Sequence, residues 1–446
     1  MHVQSSSQPL DATGERIFRK VSWRLMPILT LGLFISYVDR ANLGVLFKPM
    51  SVDLNLTATS FGLAAGLFYI GYLLFEIPSN MAMAKYGARI WIARIMISWG
   101  IVTAILAFVQ GETSLYLLRI LLGLAEAGFF PGMLLYLTFW FPPRALGRSY
   151  SILEIGIPVS LAIGSALTSS LLFLTDGLMG VAGWRWVFIL QGLPAVALGI
   201  YIYLFLADRP AQAKWLTSEE KAWLESNVTI RGQDASSGTQ YLGAVAVSPL
   251  TWLFALLYFS MVVGFWAITY FLPQIIQERF NVDTVEAGFI ATIPWIVAAF
   301  AIYVVGKSSS KIGDRKWHML FCLLIAGVGL FMSAATGSPI LALVGLSMGA
   351  AGMQAAVPLF WTMPSTTFAA ASAAIGIAAI NSIGNLSGLV GPWLLGFFKD
   401  LTGSSATGLY CMSGFFFFSA FLAFAMSVFA TRHEASLEAA AVAQAV

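Results

Sequence analysis

The sequence predicts an all-α membrane protein with twelve transmembrane helices in two six-helix bundles. Three observations carry that expectation. Hydrophobic residues make up 59% of the 446-residue chain and charged residues only 10%, whereas soluble domains carry about 25% charge; mean hydropathy is +0.82. Twelve apolar stretches are each long enough to cross a hydrocarbon core, which takes about 20 helical residues. One long polar interval, residues 207–247, divides those stretches six and six.

Residues 1–23 form a polar segment with Ser5-Ser6-Ser7. They lack the short charged region and cleavage site of a removable signal, so the first apolar run reads as a permanent anchor. The first bundle, 24–206, has spans expected at 24–46, 58–82, 90–110, 114–138, 148–173 and 184–206. Within the interval 207–247, Asp208-Arg209-Pro210 stops the sixth span. Thr217-Ser218-Glu219-Glu220 then reads as a capping box opening a short helix through Trp223 and Leu224, and Gly232 to Gly243 as a flexible linker. The second bundle, 248–431, has spans at 248–277, 285–307, 317–335, 339–363, 371–396 and 408–431, leaving 432–446 as a tail. Lipid leaves no partner for exposed backbone groups, so these runs are helices. Strands of a membrane barrel would be shorter and strictly alternating.

Basic residues set the orientation. Cytoplasmic termini put 18 of the 24 Lys and Arg residues on the cytoplasmic side, leaving Lys48, Arg185, Arg279 and Lys399 outside. The expectation is a monomeric, multi-pass protein of a bacterial inner membrane with the lipid bilayer as its surroundings. A net charge of +3 gives no basic field for nucleic acid. Cys322 and Cys411 lie inside apolar runs and make neither a disulfide framework nor a metal site. No nucleophile constellation or nucleotide loop is visible, so no enzyme, cofactor or metal is expected.

Two halves of similar design would pack as a transporter does, with its site at the midplane. Leu118 to Pro142 and Leu341 to Pro364 both combine a glycine-alanine stripe with a Trp-Pro exit, and small residues let helices approach closely. Arg119 and Glu126 fall where the second half has Leu341 and Met348, so these charges were added to the first half only.

Charges at membrane depth are costly, at least about 2.5–3.5 kcal/mol on insertion scales. The deep cations are Arg40 and Arg119; the deep acids are Asp39, Glu76, Glu126 and Glu154. None of the three histidines lies deep in a span. Arg119 and Glu126 share a helix face about 10 Å apart. Asp39 and Arg40, being neighbours, splay apart. A guanidinium stays charged, whereas a carboxylate can exchange a proton. Arg40 and Arg119 would therefore hold an organic carboxylate, while Asp39 and Glu126 would load and release protons. The bland alternative is a structural ion-pair network fastening the first span to the fourth. Glu76, just before Pro78, suits a gate as well as a site, and Glu154 suits the cavity or a bond to Arg148. Tyr37, Tyr69 and Tyr72 offer hydroxyl contacts in the first half. Trp266, Tyr270, Trp295, Trp361, Asn381 and Asn385 form the corresponding uncharged set, the two asparagines sharing one face at i, i+4.

These residues also carry a family likeness. Two six-helix bundles on a cytoplasmic loop match the major facilitator architecture. Ser36-Tyr37-Val38-Asp39-Arg40-Ala41-Asn42-Leu43-Gly44 resembles the first-helix signature of the anion:cation symporters, carriers of sugar acids, tartrate, phthalate, hydroxyphenylacetate and nicotinate. Similar too are Arg119 through Glu126, Gly128 and Pro131 to Trp140-Phe141-Pro142; Gly183-Trp184-Arg185-Trp186; Ala213-Lys214-Trp215-Leu216-Thr217; and Asn381-Ser382-Ile383-Gly384-Asn385. The resemblance implies proton coupling at Asp39 and Glu126. It implies carboxylate binding or coupling at Arg40 and Arg119, with Tyr37 and Tyr72. Departures are Ala84-Lys85-Tyr86-Gly87-Ala88-Arg89 in place of an Asp-Arg loop, Ser309-Ser310-Lys311 in place of Ser-Asp-Arg, and an unexpected acid at Glu154. The expected function is import of a small organic anion by proton symport, driven by the proton gradient, with an exchanger or proton-driven exporter as the alternative.

Overall fold

A computed structural model describes residues 12–228, 248–367 and 370–445, with side chains described except at 143, 144, 151, 365–375 and 427–445. The expected linker, Gly232 to Gly243, lies outside the described residues. The regular elements are helical. In the first half they are α1 (Ala12–Leu54), α2 (Ala58–Tyr86), α3 (Ala88–Ile105), α4 (Glu112–Glu126), α5 (Phe129–Thr138), α6 (Pro143–Thr175) and α7 (Gly183–Phe205), followed by α8 (Ser218–Asn227). The second half has α9 (Pro249–Phe280), α10 (Thr284–Ile290), α11 (Thr292–Ile312), α12 (Lys316–Ala335), α13 (Pro339–Thr367), α14 (Ala370–Asn385), α15 (Ser387–Thr402) and α16 (Ser405–Ala445).

Eleven segments among the described residues are long and apolar enough to cross a membrane. The expected span 371–396 is shared between α14 and α15. There the Leu386 N–H bonds to the Ile383 carbonyl at 3.2 Å, tightening the chain into a joint. At the start of the chain, helix begins well before the expected span. Residues 12–23 continue α1 because Ile17, Phe18 and Val21 are buried against the bundle and no proline intervenes before Pro27.

That extension also holds the central loop. Lys20 donates to Glu220 at 2.6 Å, and Thr217 and Glu220 form the expected capping box, with Glu220 N–H to Thr217 Oγ1 at 3.2 Å and Thr217 N–H to Glu220 Oε2 at 2.9 Å. Partial burial would raise the Glu220 carboxyl, but bonds from Lys20 and the Thr217 N–H hold it below the usual carboxylate range. Trp215 stacks on Trp140 at 5.6 Å, and the Arg209 guanidinium lies 3.5 Å from the centre of the Phe139 ring. The loop is thus fastened to the first bundle at the face carrying the N-terminus. On the same face in the second half, Asp314 accepts from the Trp317 and His318 N–H groups and from His318 Nδ1, opening α12.

Small residues set the helix spacing inside each bundle, as expected for the fourth and tenth spans. A Cβ on Gly123 would lie 2.0 Å from the Phe68 carbonyl of α2, and one on Gly352 would lie 2.3 Å from the Cys322 carbonyl of α12. The bundles meet through α1 with α9, α2 with α15, and α6 with α10 and α11. The tightest seam is at the face opposite the N-terminus. A Cβ on Gly62 would fall 2.3 Å from the Pro392 carbonyl, and one on Gly396 would fall 2.1 Å from the Ala58 carbonyl. Asp400 at the end of α15 adds a polar clasp, accepting from the Ala58 N–H at 3.0 Å and the Thr59 N–H at 2.7 Å at the start of α2. These donors are otherwise orphans of a helix start.

Gly62→Val drives a side chain into the Pro392 backbone and is expected to part this seam. Maleimide should then react faster with a cysteine placed at Leu389, in a background lacking Cys322 and Cys411. Labelling no faster than in the parent would contradict the seam.

Candidate functional site

A cavity of about 1180 Å³ lies between the bundles. It runs from Arg40, Phe68, Tyr69 and Trp266 to Asn80, Gly147, Ser310 and Thr362, near the helix ends at the N-terminal face. The opposite end is stopped by the seam between α2 and α15. Its size exceeds a usual ligand pocket of about 300–1,000 Å³, as suits a vestibule with a site at its head.

At the head is an ion pair. Arg40 on α1 donates to Glu126 Oε1 at 2.7 Å, and Ser36, one turn earlier, donates to the same oxygen at 2.6 Å. Glu126 is 2% exposed. The Arg40 guanidinium is 5.0 Å from the Tyr37 and Phe68 ring centres and 5.3 Å from that of Trp266. Aromatic faces attract a cation, so both bundles hold this side chain in place.

The fourth span breaks immediately after Glu126. Ala127 leaves the helical conformation and Gly128 takes φ +82°, before α5 begins at Phe129. Pro131 has no N–H to offer the Ala127 carbonyl four residues back. Ser79 Oγ satisfies that carbonyl instead at 2.6 Å, and Trp91 Nε1 donates to Ser79 Oγ at 2.9 Å. Irregular backbone at membrane depth is tolerated only where protein or a cavity receives it. The equivalent stretch of the second half, α13, runs unbroken from Pro339 to Thr367, so the break and the charge come together.

The sequence candidates separate into those that line the cavity and those behind its wall. Tyr37, Arg40, Tyr69, Tyr72, Glu126, Glu154, Trp266, Trp361, Asn381 and Asn385 line it. Asp39 does not. It is 5% exposed and accepts from Trp99 Nε1 at 2.6 Å and Thr103 Oγ1 at 3.3 Å, between α1 and α3. Arg119 is 2% exposed and is absorbed by the Ala64 and Ala65 carbonyls of α2, each at 3.1 Å. Its guanidinium sits 5.2 Å from the Phe68 ring centre, so Phe68 interacts with both deep arginines. Tyr270 is a buried support whose hydroxyl is 3.5 Å from that of Tyr69. Trp295 packs against Phe265 at 5.9 Å. Arg148 pairs with Glu15 at 2.7 Å rather than with Glu154.

Sequence reasoning missed Ser36, Phe68, Gln354, Tyr258 and Lys307, all on the cavity wall. Gln354 was readable as a lone amide inside the glycine-alanine run of the tenth span. Ser36 was readable as the residue one turn before Arg40. Among the described residues, three that line the cavity carry buried donor atoms without a hydrogen-bond partner: Arg40 Nε, Trp266 Nε1 and Gln354 Nε2.

The family model of the Major Facilitator Superfamily matches residues 29–392. The chain belongs to that superfamily. A protein of Agrobacterium vitis named "Putative tartrate transporter" is 42% identical over 409 residues, 91% of this chain and 90% of its own length. A "Quinolone resistance transporter" of Acinetobacter baumannii is 37% identical over 399 residues, covering 89% and 92%. Among solved structures, the bacterial homolog of the human lysosomal transporter Spinster, inward-facing and occupied, superposes with a TM-score of 0.73 at 19% identity, covering 92% of this chain and 97% of that one. The chain is therefore a multi-pass membrane transporter of the major facilitator type, and its relatives agree with the anion:cation symporter resemblance.

Gly128→Ala should be strained twice, by its positive φ and by a Cβ that would lie 2.4 Å from Ser79 Oγ. The left-handed conformation alone costs about 1–2 kcal/mol for a residue with a Cβ. A clear drop in thermal stability is expected in detergent, against little change for Gly414→Ala, whose Cβ would meet nothing within 4 Å. Equal stabilities would contradict the break.

Proposed function

We propose that the chain imports a small organic carboxylate together with protons, by alternating access of the site at the cavity head. The observation that carries this is the Arg40–Glu126 pair together with the unpartnered donors of Arg40, Trp266 and Gln354. A carboxylate accepting from these donors would be held by α1 of one bundle and by α9 and α13 of the other. A proton taken up by Glu126 would weaken its hold on Arg40 and free the guanidinium for the substrate. Either event alone would leave the site with a net charge, whereas both together keep it neutral. Together they would change the relative stability of the two facing states, which is what coupling requires.

In this reading Asp39, held by Trp99 and Thr103, is a second proton site, and Arg119 acts from behind Phe68 on the field at the cavity head. Tyr37, Tyr69 and Tyr72 orient the substrate from the first bundle; Trp361, Asn381 and Asn385 do so from the second. The proton gradient supplies the drive, with no cofactor, to a monomer in a bacterial inner membrane. The excess of basic residues on the N-terminal face supports cytoplasmic termini, so the cavity faces the cytoplasm. The relative named for tartrate supports an organic acid as cargo. The relative named for quinolone resistance favours a second reading, proton-driven export or exchange on the same site.

Flux in reconstituted vesicles under an imposed pH difference decides between these readings. The panel is sugar acids, tartrate, phthalate, hydroxyphenylacetate and nicotinate. The expected result is net uptake of one acid down the proton gradient, with an inward positive current if proton charge exceeds anion charge. Net flux only against the proton gradient would mean export. Glu126→Gln should retain exchange of that acid and lose proton-driven accumulation; full accumulation in the variant would refute the assignment.

A further inference from the structure

Two carboxylates in the cavity take no part in that account. Glu76 is 8% exposed; Asn381 Nδ2 donates to its Oε1 at 3.4 Å, and its Oε2 is buried without a partner. Glu154 lines the same cavity and forms no ion pair among the described residues. Helix register sets their depth. Glu76 lies seven residues beyond Tyr69, whose ring packs 4.8 Å from Trp266 beside Arg40. That is about 10 Å along α2 towards the N-terminal face. On α6, Gly164 packs on Val38 and Ala41, while Gly156 lies beside Thr30 and Leu33. Glu154 therefore also sits well on the N-terminal side of Arg40.

The cavity is consequently polarised along its length. Unpartnered donors gather at the head, and acceptors gather about two or more helical turns nearer the mouth. The cation near the mouth, Lys307, lies 6.0 Å from the Tyr303 ring centre and forms no ion pair with either acid among the described residues. Tyr72, one turn before Glu76 on α2, walls the space between the two ends, and Tyr258 and Trp361 also line the cavity.

We propose that Glu76 and Glu154, with the Asn381 amide oxygen, form an acceptor subsite for the substrate's tail. It takes a hydrogen-bond-donating group, hydroxyl or ammonium, on a molecule whose carboxylate is held at Arg40. This rests on the carboxylate reading above and narrows it to monocarboxylates with a donor tail. A second carboxylate at that end would face two acids, and opposed like charges are strongly selected against.

The test uses the full-length protein in nanodiscs and calorimetric Kd values for acids that differ only in the tail. One pair is gluconate and glucarate; the other is 4-(hydroxymethyl)benzoate and terephthalate, with 4-(aminomethyl)benzoate as the ammonium arm. In the body that binds, the donor-tailed acid should win by at least about tenfold, a lower bound because juxtaposed like charges cost more than that. Glu76→Gln and Glu154→Gln should each shrink that ratio, and the hydroxyl and ammonium arms identify which donor is preferred. A diacid that binds as tightly as its partner would overturn the proposal. So would ratios untouched in both variants, including the case in which those variants lose only proton uptake. If no acid of either body binds, or if Arg40→Lys leaves binding unchanged, it is the carboxylate reading itself that fails.

Discussion

A guanidinium and a carboxylate buried together at the middle of a membrane cannot be left to chance, and much of this structure is arranged around that pair. Removing one partner of a buried pair typically costs about 3–5 kcal/mol, because the other charge is left uncompensated. Arg40 and Glu126 share one close contact, Ser36 supports it, and the aromatic faces of Tyr37, Phe68 and Trp266 surround the cation. The break after Glu126 ends α4 at the cavity, and Ser79 repairs the backbone bond that Pro131 cannot make. The same expense makes the pair sensitive. A proton on one side or an anion on the other changes its energy by more than either would in water.

The two faces of the protein are built differently, and that difference gives the central pair mechanical consequences. Opposite the N-terminus, α2 and α15 touch backbone to backbone, and Asp400 clasps the start of α2. At the N-terminal face the loop helix α8 is tied to α1 of its own bundle through Lys20 and Glu220, not across the cavity. The first bundle and the loop helix α8 can therefore move as one body. Among the described residues, cross-bundle hydrogen bonds within the cavity are few and long, such as the 3.4 Å contact from Asn381 to Glu76.

Much of this was legible in the sequence, for physical reasons. Lipid enforces long apolar helices, so the spans and the dividing loop stood out, and charges at depth stood out against them. Arg40 and Glu126 stood out as separate candidates because so few ionisable residues lie so deep, while an ion pair between the first and fourth spans entered only as the structural alternative. What the sequence concealed was direction. Arg119 and Arg40 read alike, yet one is absorbed by the carbonyls of Ala64 and Ala65 while the other faces the cavity. Asp39 and Arg40 are neighbours, and their roughly 100° separation sends Asp39 to Trp99 instead. The break at Gly128 was hidden because its flanks are as apolar as an unbroken span. The early start of α1 was hidden because polar residues there cover one face while Ile17, Phe18 and Val21 bury the other.

The central claim is that substrate and proton together take Arg40 away from Glu126. Infrared difference spectroscopy on the reconstituted protein tests it directly, comparing spectra with and without the transported acid. The account predicts that adding the acid produces a protonated-carboxyl band that is absent in Glu126→Gln, together with a shifted guanidinium band that is absent in Arg40→Lys. A carboxylate signature at Glu126 that stays unchanged on saturation with a transported acid would contradict it.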